Sequence, residues 1–359
     1  MLSLTRADVP PRRATLDAPG GFSWWYGDIV DAAGNGLVVI GAWGLPFLPG
    51  YAAAARRGAP ERAGSRPSLN LALYEGGRPV AYLLQETPGE WVSDTCWRFG
   101  DSVLTSEIVN GERRLHATID CPVAGTSARM VGALEIVGRP RVSGPDEPAD
   151  GPHRWTPLAT PARGEASFSL GDGFRFAVAG RAYHDRNECE VPLASLGIGE
   201  WLWGRAPLGD DEVVWYLLWP EGGGAPTAWG LRLSPDGRTT PVEGLTVRLA
   251  ERRRSVYGLA WWDHVSLDVS GDTWLTVRHG TPVEDGPFYL RFFPVVEGAG
   301  RSGRGVAELV RPDRVDLDWM RPFVRMRVRP PGAGASMWLP LFEGPAVGRA
   351  GRLLGFGGG

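Results

Sequence analysis

The chain has 359 residues, of which 43% are hydrophobic and 22% charged, so its composition is that of a folded globular protein of about two domains. Its 38 basic residues are all arginine, which excludes enzymes that depend on a lysine, such as PLP-dependent enzymes and P-loop NTPases. The net charge is −3 with both signs mixed along the chain, so no basic stripe is present and we expect no nucleic-acid partner.

The first residues, MLSLTRADVPPRR, carry charges without an apolar segment behind them, and so do not resemble a secretory signal. The three cysteines, Cys96, Cys121 and Cys189, are too few and too scattered for a disulfide framework or a zinc cluster. Both observations are typical of a protein in a reducing compartment, so we expect a cytoplasmic location.

The segment Gly36–Ala55 contains no charged residue over about the length of a membrane span. Glycines and prolines at positions 41, 44, 46, 49 and 50 interrupt it, so we predict a strand followed by an apolar loop rather than a transmembrane helix. We expect the loop around Ala42–Ala55, with Phe47 and Leu48, to attach the protein peripherally to the inner face of a membrane. There it would help a long apolar substrate to enter.

Hairpin signals recur along the chain. Asn110–Gly111 supplies the positive φ values of a type I′ turn, and Leu115, Ala117 and Ile119 then alternate with polar residues such as His116. Similar turns are predicted at Gly171–Gly173, Pro235–Gly237 and Gly271–Asp272. Hairpins at this spacing, in a chain with 51 glycines and 31 prolines, favour an all-β fold with little helix.

We predict two antiparallel β-barrel domains packed together, one of residues 1–195 and one of residues 196–359. The polar, proline-rich segments Arg56–Pro67 and Val142–Arg154 are interpreted as long loops, and Gly222–Pro226 as a further break. Gly298–Gly303 has the spacing of a dinucleotide-binding loop, but no helix pattern follows it. Glu251–Arg254 is interpreted as a solvated turn.

The densest cluster of chemically useful residues lies within Gly180–Pro220, after a predicted strand. Together with an upstream segment it contains His153, Trp155, Tyr183, His184, Asp185, Asn187, Trp201 and Trp203. A carboxylic acid among aromatic side chains has its pKa raised by desolvation, and aromatic faces stabilise a developing cation. Such a site suits protonation of an alkene followed by carbocation chemistry. The alternative is that the aromatic residues form core and the polar run forms a turn.

The sequence contains no G-x-S-x-G, H-E-x-x-H or C-x-x-C motif. It therefore supports neither a serine hydrolase nor a metal site, and we expect no cofactor. The oligomeric state is left open by the sequence.

Several ordered motifs resemble those of the carotenoid 1,2-hydratases, also called hydroxyneurosporene synthases. The central pattern of that family, GYHDHNWG followed by Pro-Leu and later by W-x-WGR, is similar to GRAYHDRNECEVPL and WLWGRAPLGD here. The other segments that resemble the family are Phe22–Gly44 with its WWY-x-D pattern, Leu69–Gly77, Pro152–Pro157 with its His-x-Trp pattern, and Thr281–Phe292. The resemblance covers nearly the whole chain.

The resemblance implies a pair of lipocalin-like β-barrels and an enzyme that adds water to the terminal double bond of an acyclic carotene such as lycopene or neurosporene. Carried over to this sequence, it makes Asp185 the acid that protonates C2, after which a tertiary cation at C1 captures water. It makes Tyr183, His153 and Trp155 the orienting and cation-stabilising companions of the acid. The residues expected to contact the substrate, a long apolar polyene or isoprenoid, are His184, Asn187, Trp201 and Trp203.

Arg186 stands where the family has a second histidine, and Glu188–Cys189 stands where it has Trp-Gly. These departures leave the acid intact but concern the wall of the substrate pocket. Two alternatives stay open. One is a terpenoid or polyene cyclase, or a pericyclic-reaction enzyme of the same fold. The other is a lipophile-binding protein without chemistry, for which a β-barrel is suited.

Overall fold

In the computed structural model, which describes residues 2–141, 151–332, 336–347 and 349, 58% of the residues lie in strands and 10% in helical segments. This composition confirms the predicted all-β fold with little helix. Residues 142–150 of the loop predicted at Val142–Arg154 lie outside the described residues. The last two residues of that segment, His153 and Arg154, begin a strand instead of ending a loop.

The first half of the chain forms one large sheet. Its strands are β1 (Leu2–Leu4), β2 (Phe22–Val30), β3 (Gly36–Trp43), β4 (Pro67–Glu75), β5 (Arg78–Glu86), β6 (Gly89–Ser93), β7 (Cys96–Phe99), β8 (Ser102–Val109), β9 (Glu112–Pro122), β10 (Arg129–Gly138), β11 (His153–Leu170) and β12 (Phe174–Cys189). The strand order is 5-4-3-2-12-11-10-9-8-7-6, and β1 pairs in parallel with β11. The curled sheet encloses an apolar core that includes Trp25 and Trp97, whose rings stack at 3.8 Å.

The second half forms two smaller antiparallel sheets. Their strands are β13 (Ile198–Leu208), β14 (Asp211–Pro220), β15 (Thr227–Leu233), β16 (Thr239–Val242), β17 (Leu245–Arg254), β18 (Ala260–Val269), β19 (Asp272–Arg278), β20 (Glu284–Asp285), β21 (Tyr289–Phe292), β22 (Val295–Gly298), β23 (Arg301–Arg304) and β24 (Val306–Val310). One sheet has the order 16-15-14-13-24-21-20 and the other 17-18-19-22-23. Side chains of both sheets, among them Trp215 and Val265, form a shared apolar core.

The predicted hairpin turns are present. Asn110 and Gly111 have φ values of 54° and 78° and connect β8 to β9, as a type I′ turn requires. The predicted turns at Gly171–Gly173, Pro235–Gly237 and Gly271–Asp272 also connect consecutive antiparallel strands. Local turn chemistry therefore identified these strand connections correctly.

Two other sequence segments also belong to strands. Gly298–Gly303 forms the hairpin between β22 and β23, which agrees with its exclusion as a dinucleotide-binding loop. The prediction of a turn at Glu251–Arg254 is wrong, because these exposed residues belong to β17, and residues 252 to 254 pair with β18. The run of charge reflects a solvated strand face rather than a chain reversal.

Helical segments are few and short. The described ones are α1 (Tyr51–Arg56), α2 (Arg321–Arg325) and 3-10 turns at Arg13–Asp17, Ala63–Ser65, Leu193–Leu196, Pro312–Asp316 and Leu339–Leu341. Among the residues that the structure describes, no helix has the length and apolar character needed to cross a membrane.

The apolar segment after β3 is buried rather than exposed. Leu48 is 0% exposed, and the ring of Phe47 lies 5.6 Å from the rings of both Trp201 and Phe288. The chain then enters α1, which the sequence did not predict. The expected membrane-facing role of Phe47 and Leu48 is therefore not supported, because the second half of the protein covers this segment.

The two halves contact each other through both polar and apolar side chains. Arg205 on β13 is fully buried and pairs with Asp28 on β2. The domain boundary near residue 195 stays a prediction; it falls in the 3-10 turn between the two sets of strands. The chain later returns to the first sheet, where Tyr82 and Gly344 exchange backbone hydrogen bonds of 3.2 and 2.7 Å.

Candidate active site

Strand β12 carries the predicted acid in the interior of the large sheet, between β2 and β11. Because side chains alternate along a strand, the odd-numbered residues from Tyr183 to Asn187 point to one face and the even-numbered residues to the other. Asp185 lies opposite Tyr26 of β2 in the register. The prediction that this cluster follows a strand is wrong, since β12 continues to Cys189 with a hydrogen-bonded neighbour on each side.

Two donors hold one oxygen of Asp185. The indole Nε1–H of Trp155 on β11 donates to Asp185 Oδ2 at 2.7 Å, and the hydroxyl of Tyr183 donates to the same oxygen at 2.9 Å. Asp185 and Trp155 are each 2% exposed, and Tyr183 is 0% exposed. Both lone pairs of Oδ2 are therefore engaged, and the orientation of the carboxyl group is fixed.

The second oxygen of Asp185 is connected to the predicted histidine through Asn187. Asn187 Nδ2 donates to Asp185 Oδ1 at 3.2 Å, and Asn187 Oδ1 accepts from His153 Nε2 at 3.0 Å. Burial lowers the pKa of His153 to about 4, so the ring is neutral at pH 7 and donates through Nε2–H. His153 thus orients the amide of Asn187 without adding charge to the site.

Burial makes Asp185 an acid suited to neutral pH. Desolvation raises the pKa of Asp185 to about 7, although the hydrogen bonds from Trp155 and Tyr183 act in the opposite direction. A large fraction of the side chain is therefore a neutral carboxylic acid near pH 7. Since Oδ2 already accepts two hydrogen bonds, the acid proton is assigned to Oδ1.

Aromatic rings from both halves surround the acid. The ring of Trp203 lies 5.3 Å from that of Tyr26 and 5.4 Å from that of Tyr183. The ring of Tyr216 meets that of Trp155 edge to face at 5.2 Å. Because aromatic faces attract positive charge, this arrangement stabilises a cation formed next to Asp185.

A cavity opens between the two halves, with about 1210 Å³ of space not filled by protein, its open mouth included. The predicted site residues that line it are His153, Asp185, Asn187, Trp201 and Trp203. Trp155 and Tyr183 donate hydrogen bonds to Asp185 but do not line the cavity themselves. Leucine, isoleucine, valine and aromatic side chains form much of the remaining wall.

His184 is not part of the cavity. Its Nδ1–H donates to the backbone carbonyl of Tyr26 at 2.7 Å, and its Nε2 accepts from the hydroxyl of Ser106 at 2.8 Å. Burial lowers the pKa of His184 to about 3, so the ring stays neutral. The expected contact between His184 and the substrate is not supported, because the alternation of β12 turns this ring away from the cavity.

The departures from the family pattern lie outside the cavity wall as well. Arg186 and Glu188 form a buried salt bridge of 3.0 Å on the same face as His184. Cys189 is buried beside Phe22. None of the three departing residues lines the cavity, so these substitutions leave the surroundings of Asp185 intact.

The seven-stranded sheet contributes four polar cavity residues that the sequence did not identify. We call Glu284, Tyr289, Arg291 and Glu308 the polar wall. Arg291 donates from Nε to Glu308 Oε1 at 3.1 Å and from Nη1 to Glu284 Oε2 at 2.8 Å. Three of the four lie in the Thr281–Phe292 segment marked by the resemblance. No local pattern, however, places them on the same cavity as Asp185.

Glu251, Asp263 and His264 are close enough together to share a metal ion. Asp263 already pairs with Arg253 at 2.9 Å. The group does not line the cavity, so it has no part in the site around Asp185.

The residues of the site lie in a part of the chain that matches a known protein family. Residues 39–335 match the family model described as carotenoid hydratase CrtC. The chain belongs to the carotenoid hydratase family. The matched region contains every strand from β4 to β24, and therefore both Asp185 and the polar wall.

Other proteins similar to this member of the carotenoid hydratase family carry curated names. Hydroxyneurosporene dehydrogenase of Chlorobaculum tepidum is 24% identical over 351 residues, which cover 90% of this chain and 91% of that protein. Acyclic carotenoid 1,2-hydratase of Thiocapsa roseopersicina is 28% identical over 334 residues, covering 89% and 76% of the two chains. The protein of the same name from Rubrivivax gelatinosus is 31% identical over 211 residues, which cover 55% of this chain and 47% of that protein.

Solved structures of other proteins share the fold of this carotenoid hydratase family member. An AttH protein of Nitrosomonas europaea has a TM-score of 0.58 at 13% identity and covers 86% of this chain and 98% of its own. The structure of CghA with Sch210972 has a TM-score of 0.52 at 12% identity. The match covers 84% of this chain and 93% of CghA. The likeness concerns the fold alone and confirms the predicted lipocalin-like architecture.

Proposed function

We propose that this chain adds water to the terminal C1–C2 double bond of an acyclic carotenoid without a cofactor. The observation that carries the proposal is Asp185, a carboxylic acid with a pKa raised to about 7, in the wall of a cavity lined largely by apolar and aromatic side chains. Protonating an alkene requires a group that still carries an acidic proton near neutral pH and lies beside an apolar space, and Asp185 meets both conditions.

In the proposed reaction, Asp185 transfers its proton to C2. The electrons of the C1–C2 π bond form the new C–H bond, which leaves a tertiary cation at C1. The rings of Trp203 and Tyr216 line the cavity and stabilise this charge. The oxygen of a water molecule bonds to C1 and loses a proton, and solvent returns a proton to Asp185. The product is a tertiary alcohol, and no oxidant or reductant enters the balance.

Cyclisation and passive binding by the same fold have less support. A cyclase keeps bulk water away from its cation, whereas the polar wall gives this cavity groups that hold water. Burying a carboxyl group next to an apolar ligand costs free energy, and a protein that only binds the ligand has no use for that group. The polar wall therefore favours hydration over both alternatives.

Mass spectrometry of purified protein incubated with detergent-dispersed lycopene or neurosporene tests the proposal. We expect a product heavier by one water. The Asp185→Asn protein keeps the shape of the side chain but has no acidic proton, so it serves as the matched control and should form almost none. A product of unchanged mass would indicate cyclisation or isomerisation, and bound but unchanged substrate would indicate a carrier.

We further propose that the protein takes its apolar substrate from lipid through an exposed patch beside the cavity. This lipid-facing patch consists of Val256, Tyr257, Trp319 and Phe323. Trp319 is 63% exposed, its ring lies 5.7 Å from the guanidinium of Arg314, and Arg314 also donates to the Tyr257 carbonyl. Phe323 belongs to α2, whose next residue, Val324, lines the cavity. The patch replaces the buried segment around Leu48 as the candidate membrane contact.

Co-sedimentation with vesicles of phosphatidylcholine and phosphatidylglycerol tests the lipid-facing patch. Replacing Trp319 and Phe323 together by serine should weaken vesicle binding while sparing activity on detergent-dispersed substrate. Ile108→Ser is the matched control, since it removes an apolar side chain of similar exposure, 47%, from the first sheet. Undiminished vesicle binding by the double variant would contradict the proposal.

A further inference from the structure

Side chains from two different sheets line the cavity in two rows. The row of the first sheet runs, one strand after another, through Asp185, Tyr26 and Ile40. The row of the seven-stranded sheet runs through Trp203, Glu308 and Arg291. All six line the cavity. The carboxyl groups of Asp185 and Glu308 therefore belong to different walls of one space.

One carboxylate oxygen of Glu308 accepts a hydrogen bond from Arg291, and the other does not. Oε1 accepts from Arg291 Nε at 3.1 Å, whereas Oε2 receives no well-formed hydrogen bond within the part of the chain that the structure describes. The side chain is 13% exposed and lines the cavity. Glu284, in the same polar wall, differs: Arg327 occupies its Oε1, and Arg291 and Tyr74 occupy its Oε2. Glu308 therefore has one oxygen that accepts no well-formed hydrogen bond from the described residues, whereas each oxygen of Glu284 accepts at least one.

Neighbouring groups give Glu308 the surroundings of a water site. Trp203 is its cross-strand neighbour and has a buried Nε1–H without a hydrogen-bond partner among the described residues. Burial raises the pKa of Glu308, although the charge of Arg291 and the nearby hydroxyl of Tyr289 act in the opposite direction. A buried water makes about two to four hydrogen bonds. The Trp203 N–H and the Glu308 oxygen are an unpaired donor and acceptor on neighbouring strands, and a water between them could form two of these bonds.

We propose that Glu308 holds the water molecule that attacks C1 and accepts its proton, from the wall opposite Asp185. A lone pair of the water oxygen forms the C1–O bond, and the electrons of one O–H bond remain on oxygen as its proton moves to Glu308 Oε2. Glu308 then releases this proton to solvent at the cavity mouth. Asp185, left as a carboxylate by the first step, takes a proton from solvent. Acid and base thus come from different sheets.

This inference rests on the proposed hydration, and an experiment in D₂O separates the two. Wild type, Glu308→Gln and Asp185→Asn are incubated with detergent-dispersed lycopene, and mass spectrometry measures both the alcohol and deuterium in the recovered lycopene. Glu308→Gln keeps an acceptor for Arg291 but cannot take a proton, so alcohol formation should fall about 10²-fold or more. The cation still forms, with deuterium from Asp185 at C2. Each time it returns to the alkene by losing the original proton of C2, the C–H electrons re-form the C1–C2 π bond and the recovered lycopene keeps the deuterium. Asp185→Asn should give neither signal.

Glu200→Gln is the matched control. Glu200 is also a glutamate of the seven-stranded sheet, its side chain is 20% exposed and it pairs with Arg311 at 3.4 Å. This variant should behave as wild type in both measurements, because Glu200 does not line the cavity.

Three outcomes would overturn the inference. The first is alcohol formation by Glu308→Gln at close to the wild-type rate. The second is loss of alcohol and deuterium together in a Glu308→Gln protein with wild-type circular dichroism and Tm, because Glu308 would then act in protonation. The third is a wild type that gives neither alcohol nor deuterium uptake, which overturns the proposed function and the inference with it.

Discussion

Arg205 on β13 donates to both side-chain oxygens of Asp28 on β2, across the contact between the two halves. The pair joins the WWYGD segment of β2 to the WLWGR segment of β13, two segments that resemble patterns of the carotenoid hydratases. Both side chains are 0% exposed, and Arg205 also donates to Glu212 at 3.1 Å. Tyr26 and Trp203, two residues along each strand, line the cavity, so the ion pair fixes the spacing of its walls.

Arg205→Met should strongly destabilise the protein, because it leaves Asp28 and Glu212 buried without a positive partner. Removing one member of a buried ion pair costs about 3–5 kcal/mol, and we expect the free energy of unfolding in urea to fall by that amount. Arg248→Met is the control, since it removes an exposed arginine that pairs with Asp268, and should change stability little. Equally small effects of the two substitutions would contradict the prediction.

The rate of hydration should fall as pH rises through about 7. The reactive form of Asp185 is the neutral acid, and burial raises the pKa of Asp185 to about 7, so protonation of the alkene is lost as pH rises above that value. The pKa values of His153 and His184, about 4 and about 3, lie well below this window. A pH–rate profile with detergent-dispersed substrate checks the prediction, and a rate that increases above neutrality would contradict it.

Trp155→Phe should move the pH at which activity is lost to a higher value. The Trp155 N–H stabilises the Asp185 carboxylate and lowers its pKa, so removing this donor raises the pKa further. Tyr216→Phe is the control, because Tyr216 packs against Trp155 but does not donate a hydrogen bond to Asp185. Unchanged pH profiles in both variants would assign Trp155 a packing role only.

Asp185 and the two polar residues that support it should differ in their importance for activity. Asp185→Asn should lower kcat/KM by about 10²–10⁴-fold or more, as expected for an essential general acid. Tyr183→Phe should cost less, since Trp155 still holds Oδ2. His153→Ala should also cost less, because it removes only the support for Asn187. Near-normal turnover by a correctly folded Asp185→Asn protein would exclude Asp185 as the acid.

The strands and turns could be predicted from the sequence because their signals are local. Asn110–Gly111 specifies a turn by its own backbone preferences, and the residues from Leu115 to Ile119 alternate with period two. The grouping of Asp185 with Tyr183 and Asn187 is equally local, since alternate residues of one strand share a face.

The remaining features depend on contacts between distant segments. Glu308 joins the site only because β24 inserts between β13 and β21, which no local pattern specifies. His184 is one position from Asp185, yet a single step along the strand turns its ring to the opposite face. Leu48 has the sequence context of an exposed loop but is covered by side chains of the second half. Tertiary packing decided each of these positions.

In the proposed mechanism β12 supplies the proton donor, and β20, β21 and β24 supply the polar wall. Mutations in these other strands should then alter the fate of the cation without altering its formation. Apolar replacements at Glu308 and Arg291 would remove groups that bind water from one wall of the cavity. They would leave the hydrogen bonds of Asp185 unchanged. A cation formed there would then react with a neighbouring double bond of the polyene rather than with water. For protein engineering, this division would allow substitutions in the seven-stranded sheet to change the product while the proton donor in the first sheet stays unchanged.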